Sequence, residues 1–207
     1  MAPGTRRWGD DAALLDEDEA RRRLLEAASR CVIRRGSARI RMGEVAEEAG
    51  VARSTAYRYF PSRDDLIIGL ILKKVDAALS KVVAGLKEPQ SAARSLPELV
   101  LGPLSYIDGS PENEALFSPD SRDFVTAIQL HSQPMFDANW RHFGPLLQRW
   151  QADGQLHPDL DLADALQWID MTSANLVSSG WRERRRADQR QLLEQLLVRA
   201  LVVPAHW

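Results

Sequence analysis

The sequence predicts an all-α protein, and three observations lead to that prediction. Apolar residues recur at three- and four-residue spacing through most of the chain. Residues that cap helices stand at the ends of these periodic segments. No segment of the sequence shows the sustained alternation typical of a strand. The chain has 207 residues, of which 44% are hydrophobic and 27% charged, and this suits one large globular domain or two small ones that share a core.

Neither a membrane span nor a disulfide framework is expected. No stretch approaches the roughly 18 consecutive apolar residues of a membrane span, and the first twenty residues lack the apolar run of a signal peptide. We therefore expect a cytoplasmic protein. The single cysteine, Cys31, lies on the apolar side of a helical pattern and is expected to be a buried structural thiol. No His or Cys spacing matches a zinc site, so we expect no metal and no cofactor.

Charge is distributed unevenly along the chain. The formal net charge is −2, which by itself argues against nonspecific binding to nucleic acid. Residues 21–66, however, hold eleven basic residues against six acidic ones, whereas residues 67–207 hold fourteen basic and seventeen acidic ones. A basic block beside a mildly acidic body is expected when one part of a protein meets phosphate and the other does not.

The amino-terminal part begins with an arm and a helix. Residues 1–18 have mixed charge and no periodicity, which predicts a flexible arm. Arg6 and Arg7 leave open the alternative of an arm that enters a DNA minor groove. From about Glu19 the helical spacing predicts a helix that ends at Gly36, a residue typical of the C-cap.

Two short helices with a sharp turn between them are predicted next. The pattern places the helices at Met42–Ala49 and Arg53–Tyr59. Gly50 can take the positive φ that reverses the chain, and Val51 can then fill the corner between the helices. After this pair, Ser62 and Asp65 form a capping-box pattern for a long helix that runs to about residue 87.

The middle of the chain shows weaker signals. Residues 88–95 are predicted as a loop, residues 97–107 as a short helix, and residues 108–111 as a turn. Ser118, Pro119 and Asp120 have the pattern of a helix start, and that helix should end near His131.

The last third of the chain is predicted to hold three helices. In the first of them, Gly144 and Pro145 predict a kink or a break before an end at Asp153 and Gly154. Residues 161–179 and 187–202 form the last two, and both are too apolar for isolated surface helices. We expect them to build an obligate two-fold homodimer, because a monomer would leave their leucine and isoleucine stripes in water. The residues expected at this interface are Leu166, Ile169, Leu192, Leu196 and Leu197.

Residues 42–67, MGEVAEEAGVARSTAYRYFPSRDDLI, resemble the DNA-binding half of the TetR family of bacterial repressors. The similarity rests on the A-x-x-A-G-V turn that ends at Val51, and on aromatic and acidic residues that follow it. At the level of motifs it covers about residues 19–70. One departure is Arg41, because the family often has threonine at the start of the second helix, so a phosphate-binding hydroxyl is replaced by a cation.

The second helix of such a unit enters the major groove, and its first residues face base edges. Arg53 is therefore the candidate for direct readout, since a guanidinium can pair with guanine O6 and N7. The resemblance implies that the two tyrosines brace the DNA backbone, and the basic residues would neutralise phosphates. The expected DNA-contacting residues are Arg41, Arg53, Ser54, Thr55, Tyr57, Arg58, Tyr59 and Arg63. A packing role for the tyrosines stays open, as does a solvated face for Arg58.

The resemblance also implies that the carboxy-terminal helices bind a small effector that weakens DNA binding. Aromatic residues and a few polar ones in these helices suit a largely apolar ligand, although ordinary core packing would explain them too. The residues expected at this pocket are Tyr106, Phe124, His131, Phe136, Trp140, Trp168 and Asn175.

We therefore expect a cytoplasmic transcriptional regulator, a repressor that binds palindromic double-stranded operator DNA as a homodimer. The expected organisation is an arm at residues 1–18, a DNA-binding domain at residues 19–66, and an effector-binding and dimerisation domain at residues 67–207. No convergent acid, base and nucleophile suggest an enzyme. The alternative is a helical dimer that acts through protein contacts and has no small-molecule effector.

Overall fold

A computed structural model of the chain describes residues 17–105 and 110–207. These residues confirm the all-α prediction: they contain helices and turns, and their only β-type pairing is an isolated antiparallel bridge between Leu156 and Val202. No helix within the described ranges is long and apolar enough to span a membrane. The expected arm at residues 1–18 falls almost wholly outside these ranges.

The helices are α1 (Glu17–Arg35), α2 (Met42–Ala49), α3 (Arg53–Tyr59), α4 (Arg63–Ala84), α5 (Ala92–Leu104), α6 (Pro111–Leu116), α7 (Arg122–Leu130), α8 (Gln133–Ala152), α9 (Leu162–Ser178), α10 (Arg186–Leu193) and α11 (Arg199–Leu201). A π-helical turn at Glu194–Val198 joins α10 to α11. Single 3-10 turns lie at Gly180–Glu183 and Pro204–His206.

The chain divides into two compact units. The first consists of Met1–Ile71 and Gly109–Val125, and the second of Leu72–Asp108 and Thr126–Trp207. The structure thus differs from the single boundary that we placed between residues 66 and 67, because a segment from the middle of the chain belongs to the first unit. The physical reason is that α6 packs against α1. Helices α4 and α7 each contribute residues to both units.

The core of the first unit is built from small and medium side chains. Ala46 and Ala56 are buried, so α2 and α3 approach each other closely. Phe60 is the largest buried side chain of this unit. Leu66 and Ile67, near the start of α4, are fully buried as well. Cys31 is buried, as the sequence predicts, and burial raises the pKa of its thiol.

The second unit has one larger apolar core. Side chains of α5, α8 and α9 and of the carboxy-terminal helices meet there, among them Leu99, Leu147 and Ile169. Trp150 is fully buried at the end of α8, and its indole N–H donates to the carbonyl of Pro89 at 2.8 Å. This bond satisfies the one polar atom of the largest core side chain.

Two helix predictions in the middle of the chain were wrong. Helix α5 begins at Ala92 rather than at residue 97, because the hydroxyl of Ser91 caps it by accepting from the N–H of Arg94. Ala92 and Leu96 are fully buried, and their burial compensates for the backbone hydrogen bond that Pro97 cannot make. Helix α6 was missed, since the turn residues Ser110 and Pro111 act as its N-cap and first position.

Two further predictions concern the next helices. The residues 118–120 form a turn, and the helix that we expected to start there begins at Arg122. Helix α8 is continuous through Pro145, so the predicted break at that position does not occur. By contrast, the Asp161 cap of α9 is confirmed, because its carboxylate accepts from the N–H groups of Ala163 and Asp164.

Candidate DNA-binding surface

The turn between α2 and α3 has the geometry that the sequence predicts. Gly50 has φ 70° and ψ 30°, the left-handed conformation that favours glycine. The N–H of Gly50 donates to the carbonyl of Glu47 at 3.0 Å, and that of Val51 donates to the carbonyl of Ala46 at 2.9 Å. These bonds satisfy the last carbonyls of α2 and fix the direction in which α3 leaves the turn.

At the start of α2, a carboxylate takes the place of the side-chain hydroxyl that commonly caps a helix. Arg41 occupies the N-cap and has no side-chain oxygen, so the Glu44 carboxylate accepts from the backbone N–H of Arg41 at 3.3 Å. Arg35 of α1 also binds Glu44, at 2.8 Å, and this contact lowers the pKa of Glu44. The exposed side chain of Arg41 is therefore not needed for capping and points a cation outward from the start of α2.

Ion pairs hold α2 against α1. Arg30 and Arg34 bind the two oxygens of Glu48 at 2.7 and 2.8 Å, and both contacts lower the pKa of that carboxyl. The arginines are more than half exposed, so each pair contributes little to the free energy of folding.

Helix α3 presents a polar and basic face to solvent. Ala56 is buried and anchors the helix, whereas Arg53, Ser54 and Arg58 are exposed. Tyr57 is 37% exposed, although large aromatic side chains are usually covered. The described contacts thus leave the amino-terminal turn of α3 and the ring of Tyr57 available to a partner.

Each exposed arginine of α3 is paired with a tyrosine. The guanidinium of Arg53 donates to the hydroxyl of Tyr57 at 3.3 Å and lies 5.5 Å from its ring centre. Arg58 donates to the hydroxyl of Tyr59 at 3.0 Å and lies 4.8 Å from that ring. These pairs join four of the predicted DNA-contacting residues into two aromatic and cationic groups without neutralising either charge.

The remaining predicted residues of this surface lie in less open places. Thr55 and Tyr59 are half-buried. Arg63 binds Asp64 at 3.1 Å, and its guanidinium lies 4.4 Å from the ring centre of Phe124. Arg63 is thus already engaged by an acid and an aromatic ring, which sequence reasoning did not anticipate.

The end of α3 is fixed by α1 and α4. Arg21 of α1 donates to the carbonyl of Tyr59 at 2.9 Å and lies 4.6 Å from the ring centre of Phe60. A Cβ on Gly69 of α4 would stand 2.9 Å from the Phe60 ring, so α4 can approach this closely only with glycine there. These contacts explain why Phe60 is buried, as the packing role predicted for it requires.

A second group of supporting residues comes from residues 110–125 and was missed by the sequence analysis. The hydroxyl of Ser37, in the link between α1 and α2, donates to Asp120 at 2.9 Å and lies 2.8 Å from the hydroxyl of Ser121. The N–H of Ala38 donates to Ser121 at 2.9 Å. Arg39 donates to the backbone carbonyl of Asp120 at 2.8 Å. This network fixes the segment that leads into α2. The sequence analysis interpreted Ser118 to Asp120 as a helix start and did not connect these residues with α2.

Two short helices, a left-handed glycine between them and a basic exposed face on the second define a helix-turn-helix unit. The family model described as bacterial regulatory proteins, tetR family, matches residues 24–70. Residues 24–70 therefore match the tetR family, and the resemblance seen in this part of the sequence is confirmed.

Named relatives agree with this match, and a solved structure supports the fold. The HTH-type transcriptional activator FasR of Mycolicibacterium smegmatis is 29% identical over 119 residues, which are 58% of this chain and 53% of that protein. The fatty acid metabolism regulator protein of Bacillus subtilis is 26% identical over 86 residues, 42% of this chain and 44% of that protein. The chain thus spans about half the length of these curated relatives. The structure of the R. erythropolis repressor QsdR, from the TetR family, has a TM-score of 0.65 at 18% identity over 87% of this chain and 95% of that one, which supports the fold.

The residues expected at an effector pocket do not come together as a set. Phe124 belongs to the first unit, where it lies against Arg63. His131 and Asn175 are exposed, and Trp168 is 53% exposed. Tyr106 lies outside the described residues. The placements of Phe124, His131, Trp168 and Asn175 differ from the pocket lining that we expected, because helical spacing alone does not tell which side of a helix faces the interior.

Two of the expected pocket residues do lie together. Phe136 and Trp140 of α8 stack at 6.1 Å between ring centres with their planes 14° apart. Both are half-buried against the core of the second unit.

Most of the residues predicted for a dimer interface lie inside the chain's own core. Leu166, Ile169 and Leu197 are buried within the core of the same chain, and Leu192 is half-buried. Of the five expected residues only Leu196 is exposed, at 64%. The large apolar residues that α9 exposes are Trp168 and Met171.

Proposed function

We propose that this protein is a DNA-binding transcriptional regulator, a repressor that binds palindromic operator DNA as a homodimer and is released by a small effector. The observation that carries the proposal is the exposed basic face of α3, which follows a rigid left-handed turn. The family match over residues 24–70 and the regulator names of its relatives support it. The proposal includes no enzymatic activity.

In this proposal, α3 enters the major groove with its first turn toward the base edges. Arg53 reads a base, because its charge is free and a guanidinium can bond guanine at two atoms. Ser54 and Thr55 contact bases or phosphates beside it. Tyr57, Tyr59, Arg58 and Arg41 contact the backbone. Arg63 reaches a phosphate only if it leaves Asp64, so we assign it a smaller part.

The homodimer is supported by apolar side chains that the described chain leaves uncovered. Trp168 and Met171 of α9, with Leu196 of the π-helical turn, are large and about half exposed or more. Full burial of a large apolar side chain is worth about 1.5 to 3 kcal/mol, so covering the exposed half of each against a second copy would gain about half as much. The helices predicted for the interface are therefore kept in the proposal, while the interface residues on them change.

Release by the effector is proposed to act through α4. This helix is continuous from Arg63 to Ala84 and holds residues of both units. Two half-sites one helical turn apart require recognition helices about 34 to 36 Å apart, so a small tilt of α4 would prevent both from docking. Linkage requires that effector and operator oppose each other by the same free energy, typically about 1 to 3 kcal/mol.

The test is selection of bound sequences from random duplex DNA, followed by mobility shift on the selected site, a scrambled site and the region upstream of the gene. Arg53→Ala should lose about 1 to 3 kcal/mol on the selected site and relax preference at one base position. Arg63→Ala should weaken all sequences alike and flatten the dependence on salt.

The matched control is Arg94→Ala, since Arg94 is an exposed arginine of the second unit. It should leave operator affinity unchanged. If Arg53→Ala affects selected and scrambled DNA equally, the recognition helix is misassigned. If no sequence is enriched, the DNA-binding proposal is wrong and the dimer that acts through protein contacts replaces it.

A further inference from the structure

The first turn of α3 holds an arginine that contacts a tyrosine one turn further along the helix. The guanidinium of Arg53 donates through Nη2 to the hydroxyl oxygen of Tyr57 at 3.3 Å, and its central carbon lies 5.5 Å from the centre of the tyrosine ring. Side chains four positions apart lie on the same face of a helix, so the contact follows from the spacing of the two residues. Both residues are exposed, and the pair therefore lies on the surface that we propose for DNA.

The contact with Tyr57 leaves Arg53 able to bind a base. A guanidinium carries several N–H donors in a planar fork, and Tyr57 accepts from only one of its nitrogens. A tyrosine is uncharged at neutral pH, so it orients the cation without neutralising it. The guanidinium therefore keeps the charge and the free donors that a paired contact with guanine O6 and N7 requires.

The orientation of Arg53 matters because a free arginine side chain is flexible. Such a side chain loses rotamer entropy when a contact immobilises it, and a side chain that is already oriented loses less. A guanidinium in any orientation can meet a phosphate through its charge, whereas a paired contact with one base requires that the plane of the fork be set. A restraint on Arg53 should therefore favour discrimination between bases more than overall affinity.

The second arginine and tyrosine pair of α3 has the same chemistry in a different place. Arg58 donates to the hydroxyl of Tyr59 at 3.0 Å, but these residues are neighbours in the sequence and lie at the carboxy-terminal end of the helix. The first residues of a recognition helix face the base edges, so this end lies farther from them. Arg21 of α1 also donates to the carbonyl of Tyr59 at 2.9 Å. The second pair is therefore a matched comparison for the first.

We propose that Tyr57 is a positioning residue for base recognition, whose hydroxyl holds the guanidinium of Arg53 in the plane that reads one base pair. The inference rests on the proposed function, since it requires that α3 enters the major groove. It extends the backbone contact proposed for Tyr57, because a hydroxyl that accepts from Arg53 can still donate its own proton to a phosphate. Loss of the hydroxyl should therefore have two separable effects, a lower affinity for all DNA and a weaker preference at one base pair.

The test measures binding of the full chain to the selected site and to sites that each carry one base-pair change. Comparison of wild type with Arg53→Ala first locates the base pair that Arg53 reads. Tyr57→Phe removes one exposed hydroxyl, keeps the ring and should reduce discrimination at that base pair by about three- to tenfold. Discrimination at the other positions should not change. The double variant with Arg53→Ala and Tyr57→Phe should have the same base preference as Arg53→Ala alone.

The matched control is Tyr59→Phe, which removes the hydroxyl of the second pair. It should lower affinity for all sites alike and leave the preference at the Arg53 base pair unchanged. A tyrosine that contacts only the DNA backbone would behave in the same way, so an unchanged preference in Tyr57→Phe overturns the inference. A change of preference that is equally large when Arg53 is already alanine overturns it as well.

The same measurements keep this inference apart from the proposed function. If wild type prefers one sequence and Tyr57→Phe keeps that preference in full, only the positioning role of Tyr57 is wrong. If Arg53→Ala relaxes no position, Arg53 reads no base and the positioning role is overturned too. If wild type has no sequence preference at all, the proposed function is wrong and the inference that rests on it is wrong with it.

Discussion

The two units of this chain place their charged and apolar groups in opposite ways. In the first unit the core is apolar and the charges of α1 to α3 lie outside, where arginines pair with glutamates or tyrosines nearby. In the second unit the carboxylate of Asp170 lies in a contact between helices, while Trp168 and Leu196 face outward. The first arrangement suits a surface that meets a charged polymer, and the second leaves large apolar side chains uncovered, as is typical of an interaction surface.

The largest expected effect tests the outward apolar side chains of the second unit. Leu196→Asp should convert the proposed homodimer into a monomer and reduce operator affinity by at least a hundredfold, because a charge would have to be buried at the interface. Light scattering after size exclusion measures the mass. The control is Gln195→Asp, a charge at the neighbouring exposed position. A wild type that is monomeric at micromolar concentration would show that these side chains have no such partner.

The next effect concerns the carboxylate of Asp170, which is half-buried where α9 meets α8. The pKa of Asp170 is raised to about 6, so its proton stabilises the folded state, and that contribution is complete below about pH 4 and lost as the pH rises through about 6. Asp170→Asn has no ionisable group at this position, so its stability does not fall in this way as the pH rises. At pH 7.5 it should be more stable than wild type by about 1 to 3 kcal/mol, and the difference should shrink at pH 5. Urea unfolding at both pH values measures it, with Asp159→Asn expected to follow wild type.

An effect of similar size tests the network that joins residues 110–125 to the link before α2. Ser121 is fully buried and accepts from the N–H of Ala38. Ser121→Ala leaves this N–H unsatisfied and should cost about 1 to 3 kcal/mol of unfolding free energy. Ser80→Ala, at an exposed position of α4, should cost much less. If the two variants unfold at the same urea concentration, the network does not stabilise the first unit.

The smallest effect concerns Arg63 and Phe124. Phe124→Leu keeps an apolar side chain but removes the ring beneath the guanidinium, and should cost about 0.5 to 1 kcal/mol of stability. If the ring restrains Arg63 from reaching phosphate, operator affinity should rise slightly in the same variant and depend more steeply on salt. A drop in affinity without a change in salt dependence would show instead that Phe124 supports the recognition unit.

The helix-turn-helix unit could be predicted closely because its signals are local. The bounds of α2 and α3 agree with the sequence pattern, since helices often end at a left-handed residue and glycine adopts that conformation without strain. The Asp161 cap was recognised for the same reason. Periodicity likewise indicated that α9 and the carboxy-terminal helices are amphipathic. Each of these features depends on residues within one or two turns of each other.

What only the tertiary structure decided depends on which element covers which face. Leu166 and Leu197 are apolar in any reading, but only packing shows that their own chain buries them and leaves Leu196 exposed. Helix α5 starts before Pro97 because burial of Leu96 outweighs one lost hydrogen bond, a balance that no local pattern contains. The contacts of Ser37 with Asp120 and Ser121 join residues more than eighty positions apart. The sequence by itself determined α2, α3 and the turn between them, because short-range sterics and hydrogen bonds set these features. Long-range burial decided the environments of Asp170, Arg63 and Trp168.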